Sequence, residues 1–181
     1  MAHHHPPMDL LIEYATGALP VAQSACVAAH LSYCQQCRQL VDRLEDVGGA
    51  HFERLDPQPV GESVLESVMA RLDDPEPLRY APSEASDTQL PGLLDRLING
   101  DYADLVWKRV TQSLSISYLK TGDPNHEFAL YRIAEGGRIP EHAHGGSEMT
   151  LVLRGGFADE SGEYPPGDFL VREGWDKHPP V

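Results

Sequence analysis

Apolar positions change rhythm once along the chain, and that change divides it. Over residues 8–19, Leu10, Leu11, Tyr14, Ala15 and Leu19 recur at helical spacing, with Gly17 and Pro20 placed to end the helix. Residues 21–33 are rich in Ala and Val with no internal Gly or Pro, which predicts a second helix. Residues 36–47 carry Leu40, Val41, Leu44 and Val47 at helical spacing, and Gly48-Gly49 is expected to stop them. Residues 62–72, ESVLESVMARL, place Val64, Leu65, Val68, Met69 and Leu72 on one stripe and predict a fourth, short amphipathic helix.

Residues 73–89 are rich in Pro, acidic and small polar residues and show no period, the composition of an extended linker. Beyond about residue 105 the pattern is short apolar runs separated by turn signals: SLSISYL, TGDPN, FALYRI, EGG, MTLVL, RGG. The expected organisation is two domains: an all-α unit over 1–72, a linker over 73–90 and an all-β unit over 91–181.

Charge narrows the partners. The chain has 181 residues, 28 acidic against 14 basic, for a formal net charge of -14. Such a surface repels phosphate, which argues against nucleic-acid binding, and suits a partner with a basic face. No apolar run is long enough to predict a membrane span. The start, MAHHHPPMDLL, lacks the basic-then-apolar order of a secretory signal; its His3–His5 run also fits the remnant of an expression tag, but a metal site would need a histidine near this place. Cysteine usage fits a reducing, cytoplasmic compartment: two of the three cysteines form a C-x-x-C beside a histidine, better suited to a metal than to a disulfide framework. Cys26 is expected to be an ordinary core residue.

His30, Cys34 and Cys37 stand at i, i+4 and i+7, one face of a helix, and stay within reach of one ion even if the helix breaks between them. Zinc takes four tetrahedral Cys and His ligands in a closed structural site. Three local ligands therefore call for a fourth. His5, just before the first helix, is the better candidate and His51 the alternative. A buried histidine beside two core cysteines would give the same short spacing by chance.

HLSYCQQC, preceded by MDLLIEYATGAL, resembles the zinc-binding anti-sigma family. That resemblance implies a four-helix domain over residues 1–72 and one Zn2+ on His5, His30, Cys34 and Cys37. It also implies a partner, an extracytoplasmic-function sigma factor kept from RNA polymerase.

The second cluster has a different chemistry. In a strand, residues two apart face the same side, so His142 and His144 would both point into a barrel, and Glu148 arrives after a glycine turn to complete a facial set. The string from Gly136 to Gly155, G-x5-H-x-H-x3-E-x6-G, resembles the first cupin motif. Pro165-Pro166-Gly167 resembles the turn of the second, with His178 as the fourth ligand. The resemblance implies a jelly roll holding a divalent metal, with zinc expected. A jelly roll normally continues for two or more strands past that histidine. With the sequence ending at Val181, a truncated barrel, or an edge supplied by another chain, is expected. Trp107 and Trp175 are expected to be packing residues.

Together the halves resemble the ChrR-type anti-sigma factors. That resemblance implies a cytoplasmic regulator, not an enzyme, that binds its sigma factor one to one and releases it under singlet oxygen or organic peroxide, with the cupin needed for release. A catalytic alternative is a cupin dioxygenase or isomerase carrying a zinc-stabilised helical appendage. The sequence holds no Gly-rich phosphate loop, no G-x-S-x-G and no usable Ser/His/Asp set.

Overall fold

The computed structural model describes residues 2–72, 90–98, 102–139, 146–159 and 161–172. The expected linker over 73–89, and with it His142, His144, His178 and Trp175, lies outside the described residues.

The helices are α1 (Met8–Ala15), α2 (Val21–Tyr33), α3 (Gln35–Phe52), α4 (Ser63–Arg71) and α5 (Gly92–Ile98). α1 ends as its sequence predicts. Gly17 takes φ +70, its N–H donates to the Tyr14 carbonyl, and the Ala18 N–H donates to the Glu13 carbonyl. These two bonds satisfy the last carbonyls of the helix in a Schellman turn. α3 does not stop at Gly48-Gly49. It runs on to Phe52, because both glycines lie on its exposed side and the helix's own hydrogen bonds carry through them. Glycine weakens a helix by only about 1 kcal/mol relative to alanine, too little to end one that is otherwise well anchored.

α2 is the central element. Ala22, Ala25, Cys26, Val27, Ala29 and His30 are all buried, which is more than one stripe. It packs on α1 and α3 on the helical side, and on α5 and the β-rich half elsewhere. The small side chains that predict a helix here also let its backbone approach neighbours closely.

The β-rich half contains β1 (Lys108–Arg109), β2 (Leu114–Tyr118), β3 (Ala129–Ile133), β4 (Glu148–Leu151), β5 (Phe157–Asp159), β6 (Gly162–Tyr164) and β7 (Phe169–Arg172). All pairings among the described residues are antiparallel: β1-β2-β3, β4-β7 and β5-β6. On β2, Leu114, Ile116 and the small polar Ser117 are buried, while Tyr118 is exposed. Trp107 packs as expected, under the Arg132 guanidinium at 4.1 Å from the ring centroid, a cation–π contact. The segment expected to be all-β opens instead with α5. Its PGLLDRLI is too short to show a helical period, and Leu94 is buried where α5 meets α2.

The two halves share one core. Leu10, Leu11, Leu19, Cys26, Val27, Cys34, Cys37 and Val41 from the helices cluster with Phe169 of β7, and Phe128, Met149 and Leu151 pack against them. α4 stands apart from it: it has no buried residue, and Val64, Leu65, Val68, Met69 and Leu72 are exposed.

Asp159 ties two of the small sheets together. Its carboxylate accepts from the N–H groups of Ser161 and Gly162, from the Tyr164 hydroxyl and from the Arg172 guanidinium on β7. Burial pushes its carboxyl up, but these partners outweigh burial and hold it below the ordinary carboxylate value. A depressed folded-state pKa stabilises above the unfolded value near 3.9, about where aspartate normally titrates, and the stabilisation is lost as pH falls through the folded value. Asp159→Asn should therefore cost about 1–3 kcal/mol at neutral pH. In urea denaturation, the gap between variant and parent should narrow steadily below about pH 4.

Candidate metal centre

Four side chains meet where α2 gives way to α3. α2 ends at Tyr33, and Cys34 interrupts the helix with φ -115 and ψ 105. Its Sγ caps α3 by accepting from the Cys37 N–H at 3.4 Å. The break turns the first thiol toward the second, and His30, one turn back on α2, faces both. His5 arrives from the extended segment ahead of Pro6-Pro7. The ligand atoms of His5, His30, Cys34 and Cys37 all lie within 4.8 Å of one another. The set expected from spacing and resemblance is thus brought together. The alternative fourth ligand, His51, is exposed near the end of α3 and is not part of the cluster.

The separations fit a tetrahedral ion. Zn–S bonds of about 2.3 Å and Zn–N bonds of about 2.0–2.1 Å at the tetrahedral angle put N and S about 3.6 Å apart. His5 Nδ1 is 3.4 Å from Cys34 Sγ and 3.5 Å from Cys37 Sγ, and His30 Nε2 is 3.4 Å from Cys37 Sγ. Donors of this type and spacing can hold a metal ion.

Tautomers follow from the partners. His30 Nδ1 lies 2.7 Å from the Gly167 carbonyl. A carbonyl only accepts, so Nδ1 carries the proton and the Nε2 lone pair faces the thiols. Burial, and after it the nearby His5, lower the His30 pKa and keep the ring neutral, against the opposing pull of the Gly167 carbonyl and Asp168. Burial and the neighbouring Cys34 push the Cys37 thiol up to about 12, so without a cation it is a thiol. Cys26 is buried in the core and its thiol is likewise pushed up to about 12 by burial, which makes it a packing residue.

The β-rich half packs against one side of this cluster. Asp168, fully buried, accepts from the His3 N–H at 2.6 Å and pairs with His4 Nδ1 at 2.6 Å. The Phe169 N–H donates to the His4 carbonyl, and the Tyr33 hydroxyl donates to the Leu153 carbonyl at 3.0 Å. The Phe169 ring stands edge-on to His30, with centroids 5.7 Å apart. Sequence reasoning missed Gly167 and Asp168 as neighbours of the thiolate site. Their only signal is the Pro-Pro-Gly-Asp turn, which says nothing about what the turn faces. Of the second expected cluster, Glu148 is described: it opens β4, half-buried, in register with Arg172 of β7.

Residues 96–181 match the family model of the ChrR cupin-like domain. Over 178 residues the chain is 36% identical to the anti-sigma-E factor ChrR of Cereibacter sphaeroides, covering 98% of this chain and 83% of that one. This protein belongs to the ChrR family. Its fold also matches the crystal structure of Rhodobacter sphaeroides SigE in complex with the anti-sigma ChrR, with a TM-score of 0.84 and 34% identity over 100% of this chain and 92% of that one. Family membership and the described geometry agree on the layout: a helical N-terminal region with a His/Cys cluster, then a β-rich cupin-like domain.

Thiols must lose their protons to bind a metal. Titrating Zn2+ into metal-free protein should release about two protons per ion, one from each thiol. Calorimetry in two buffers of different ionisation enthalpy measures that number. The apparent affinity should fall about 100-fold or more for each pH unit below neutrality, and a pH-independent affinity would mean that the thiols are not ligands.

Proposed function

We propose that this protein is an anti-sigma factor. Its helical half binds an extracytoplasmic-function sigma factor one to one in the cytoplasm and keeps it from RNA polymerase. The observation that carries this reading is 36% identity to the anti-sigma-E factor ChrR across nearly the whole chain. The relative of known structure is held in a complex with its sigma factor, SigE. The reading is of a regulator and not an enzyme. No helix among the described residues is long and apolar enough to cross a membrane.

Physical features of this chain support it. α4 presents Val64, Leu65, Val68, Met69 and Leu72 to solvent, and Phe52, Leu55 and Val60 on the segment leading to it are exposed too. An apolar helix that buries none of its side chains among the described residues is suited to lie in a groove of another protein. The net charge of -14 complements the basic faces with which a sigma factor meets DNA.

In this reading Zn2+ occupies His5, His30, Cys34 and Cys37 in a four-helix anti-sigma domain. Two thiolates and two neutral imidazoles neutralise and enclose the ion, and it serves folding rather than chemistry. The cupin-like half is a jelly roll in which His142, His144, Glu148 and His178 hold a second divalent metal, and it answers singlet oxygen or organic peroxide by ending sequestration.

Co-expression with the extracytoplasmic-function sigma factors of the same genome tests the reading. The expected product is a one-to-one complex by light scattering, with zinc bound. Cys34→Ala and Cys37→Ala should each lose both the zinc and the sigma factor. A zinc-free variant that still binds tightly would overturn the structural role of the metal.

A second test isolates the docking helix. The double substitution Leu65→Asp and Met69→Asp touches no buried residue, so the melting temperature should stay unchanged. Sigma affinity should fall at least about 100-fold, the scale of losing central apolar anchors. Unchanged affinity would remove α4 from the interface.

A further inference from the structure

The His/Cys cluster is built by the helical half and the segment before it, yet the groups that fix the His30 ring and hold the segment ahead of His5 come from the β-rich half. We propose that the turn Pro165–Asp168 is the outer coordination shell of the N-terminal metal site, so that metal binding and docking of the β-rich half on the helices are coupled. This rests on the reading that the cluster holds a metal.

Four hydrogen bonds make the case. The Gly167 carbonyl accepts from His30 Nδ1 at 2.7 Å, which fixes both the tautomer and the ring plane of a ligand. Asp168 grips the segment ahead of His5 by the His3 N–H and the His4 ring, and the Phe169 N–H holds the His4 carbonyl. His5 is therefore delivered to the thiols by a strap that the β-rich half fastens. The turn itself is held by the Gly167 N–H on the Val152 carbonyl and by the Val152 N–H on the Asp168 carbonyl, directly after β4.

Position 167 accepts only glycine in this arrangement. Its φ is +97, and an added Cβ would lie 2.8 Å from Tyr33 Cβ on α2. Tyr33 Cβ is the root of its side chain and cannot swing aside, so a larger residue must lift the turn off α2. Its carbonyl would then leave His30. Gly167 and Asp168 are positioning residues: neither supplies a ligand atom, and both decide where ligand atoms stand. Removal of such partners typically costs a metal site about 10–100-fold in affinity. Coupling is reciprocal, so metal loss must loosen the turn in the same proportion.

The test uses the full chain loaded with Zn2+, with release followed by a chromogenic chelator. The variants are Gly167→Ala, Asp168→Asn and, as a control, Gly122→Ala. The control has the same kind of backbone strain (φ +79) in the β2–β3 connection, with open space around it. Gly167→Ala and Asp168→Asn should release zinc about 10–100-fold faster than the parent, and the control at the parental rate. Loaded with Co2+, both should show weakened or shifted tetrahedral bands. In the parent, zinc removal should speed hydrogen exchange at the amides of Gly167 and Asp168. Parental release rates and spectra in Asp168→Asn and in any folded Gly167→Ala would overturn the inference while leaving the metal reading intact. Equal acceleration in the control would also overturn it, as general loosening. A parent chain that binds no zinc would overturn both.

Discussion

The structure turns on one imidazole. His30 is fully buried on α2, with one nitrogen toward two thiols and the other on a backbone carbonyl 137 positions away in sequence. A buried neutral imidazole has one donor and one acceptor, and each must be used or its burial is costly. The carbonyl of Gly167 takes the donor. That leaves the acceptor aimed at the cysteines, where a cation satisfies it better than a thiol proton does. The glycine at 167, the close approach of Tyr33 and the strap through His4 all serve to keep that carbonyl where it is.

Size explains why such a centre is needed. The described helices expose most of α4 and much of α3, and their buried residues form one modest cluster that is completed by Phe169 from the other half. A core this small does not hold a helical unit firmly by itself. Metal binding of the zinc-finger kind contributes about 10–16 kcal/mol at neutral pH, on the order of the whole stability of a typical domain. A metal cross-link among the N-terminal strap, α2 and α3 would therefore leave α4 free to remain apolar and uncommitted. A helix that spent Leu65 and Met69 on its own core would have nothing left to bury elsewhere.

What could be read in the sequence, and what could not, follows from the range of the interactions. His30, Cys34 and Cys37 were legible because all three sit within eight consecutive residues, where spacing alone brings side chains together. Gly17 was legible because a helix stop is local chemistry. Gly48-Gly49 misled for the same reason: the local signal says stop, but α3 is anchored elsewhere and continues. His5 was named from its place just ahead of the first helix and from resemblance, with His51 as the alternative, because periodicity says nothing of a residue whose neighbours His3 and His4 are held by Asp168 across more than 160 positions. The Pro-Pro-Gly-Asp turn was legible as a turn, while its meeting with Tyr33 and His30 had no local signature at all. The two halves are legible from their periods, but the meeting of Phe169 with the helical cluster is not, because no local pattern announces a contact between distant segments.

That shared core constrains how any signal could pass. In the proposed reading, an event in the cupin-like half would change sequestration only by altering the free energy of one state more than another. The described contacts supply a physical route. β4 begins at Glu148, pairs with β7 and leads into Val152, whose carbonyl and N–H hold the Gly167–Asp168 turn. A shift of β4 along its own axis cannot be absorbed at that turn, because Gly167 already lies against Tyr33 and Asp168 is fully buried. It must be passed to His30 or to the His4 strap, and both end at the thiols. A packed boundary of this kind has few intermediate arrangements, so the His/Cys cluster is held in register or lost from it.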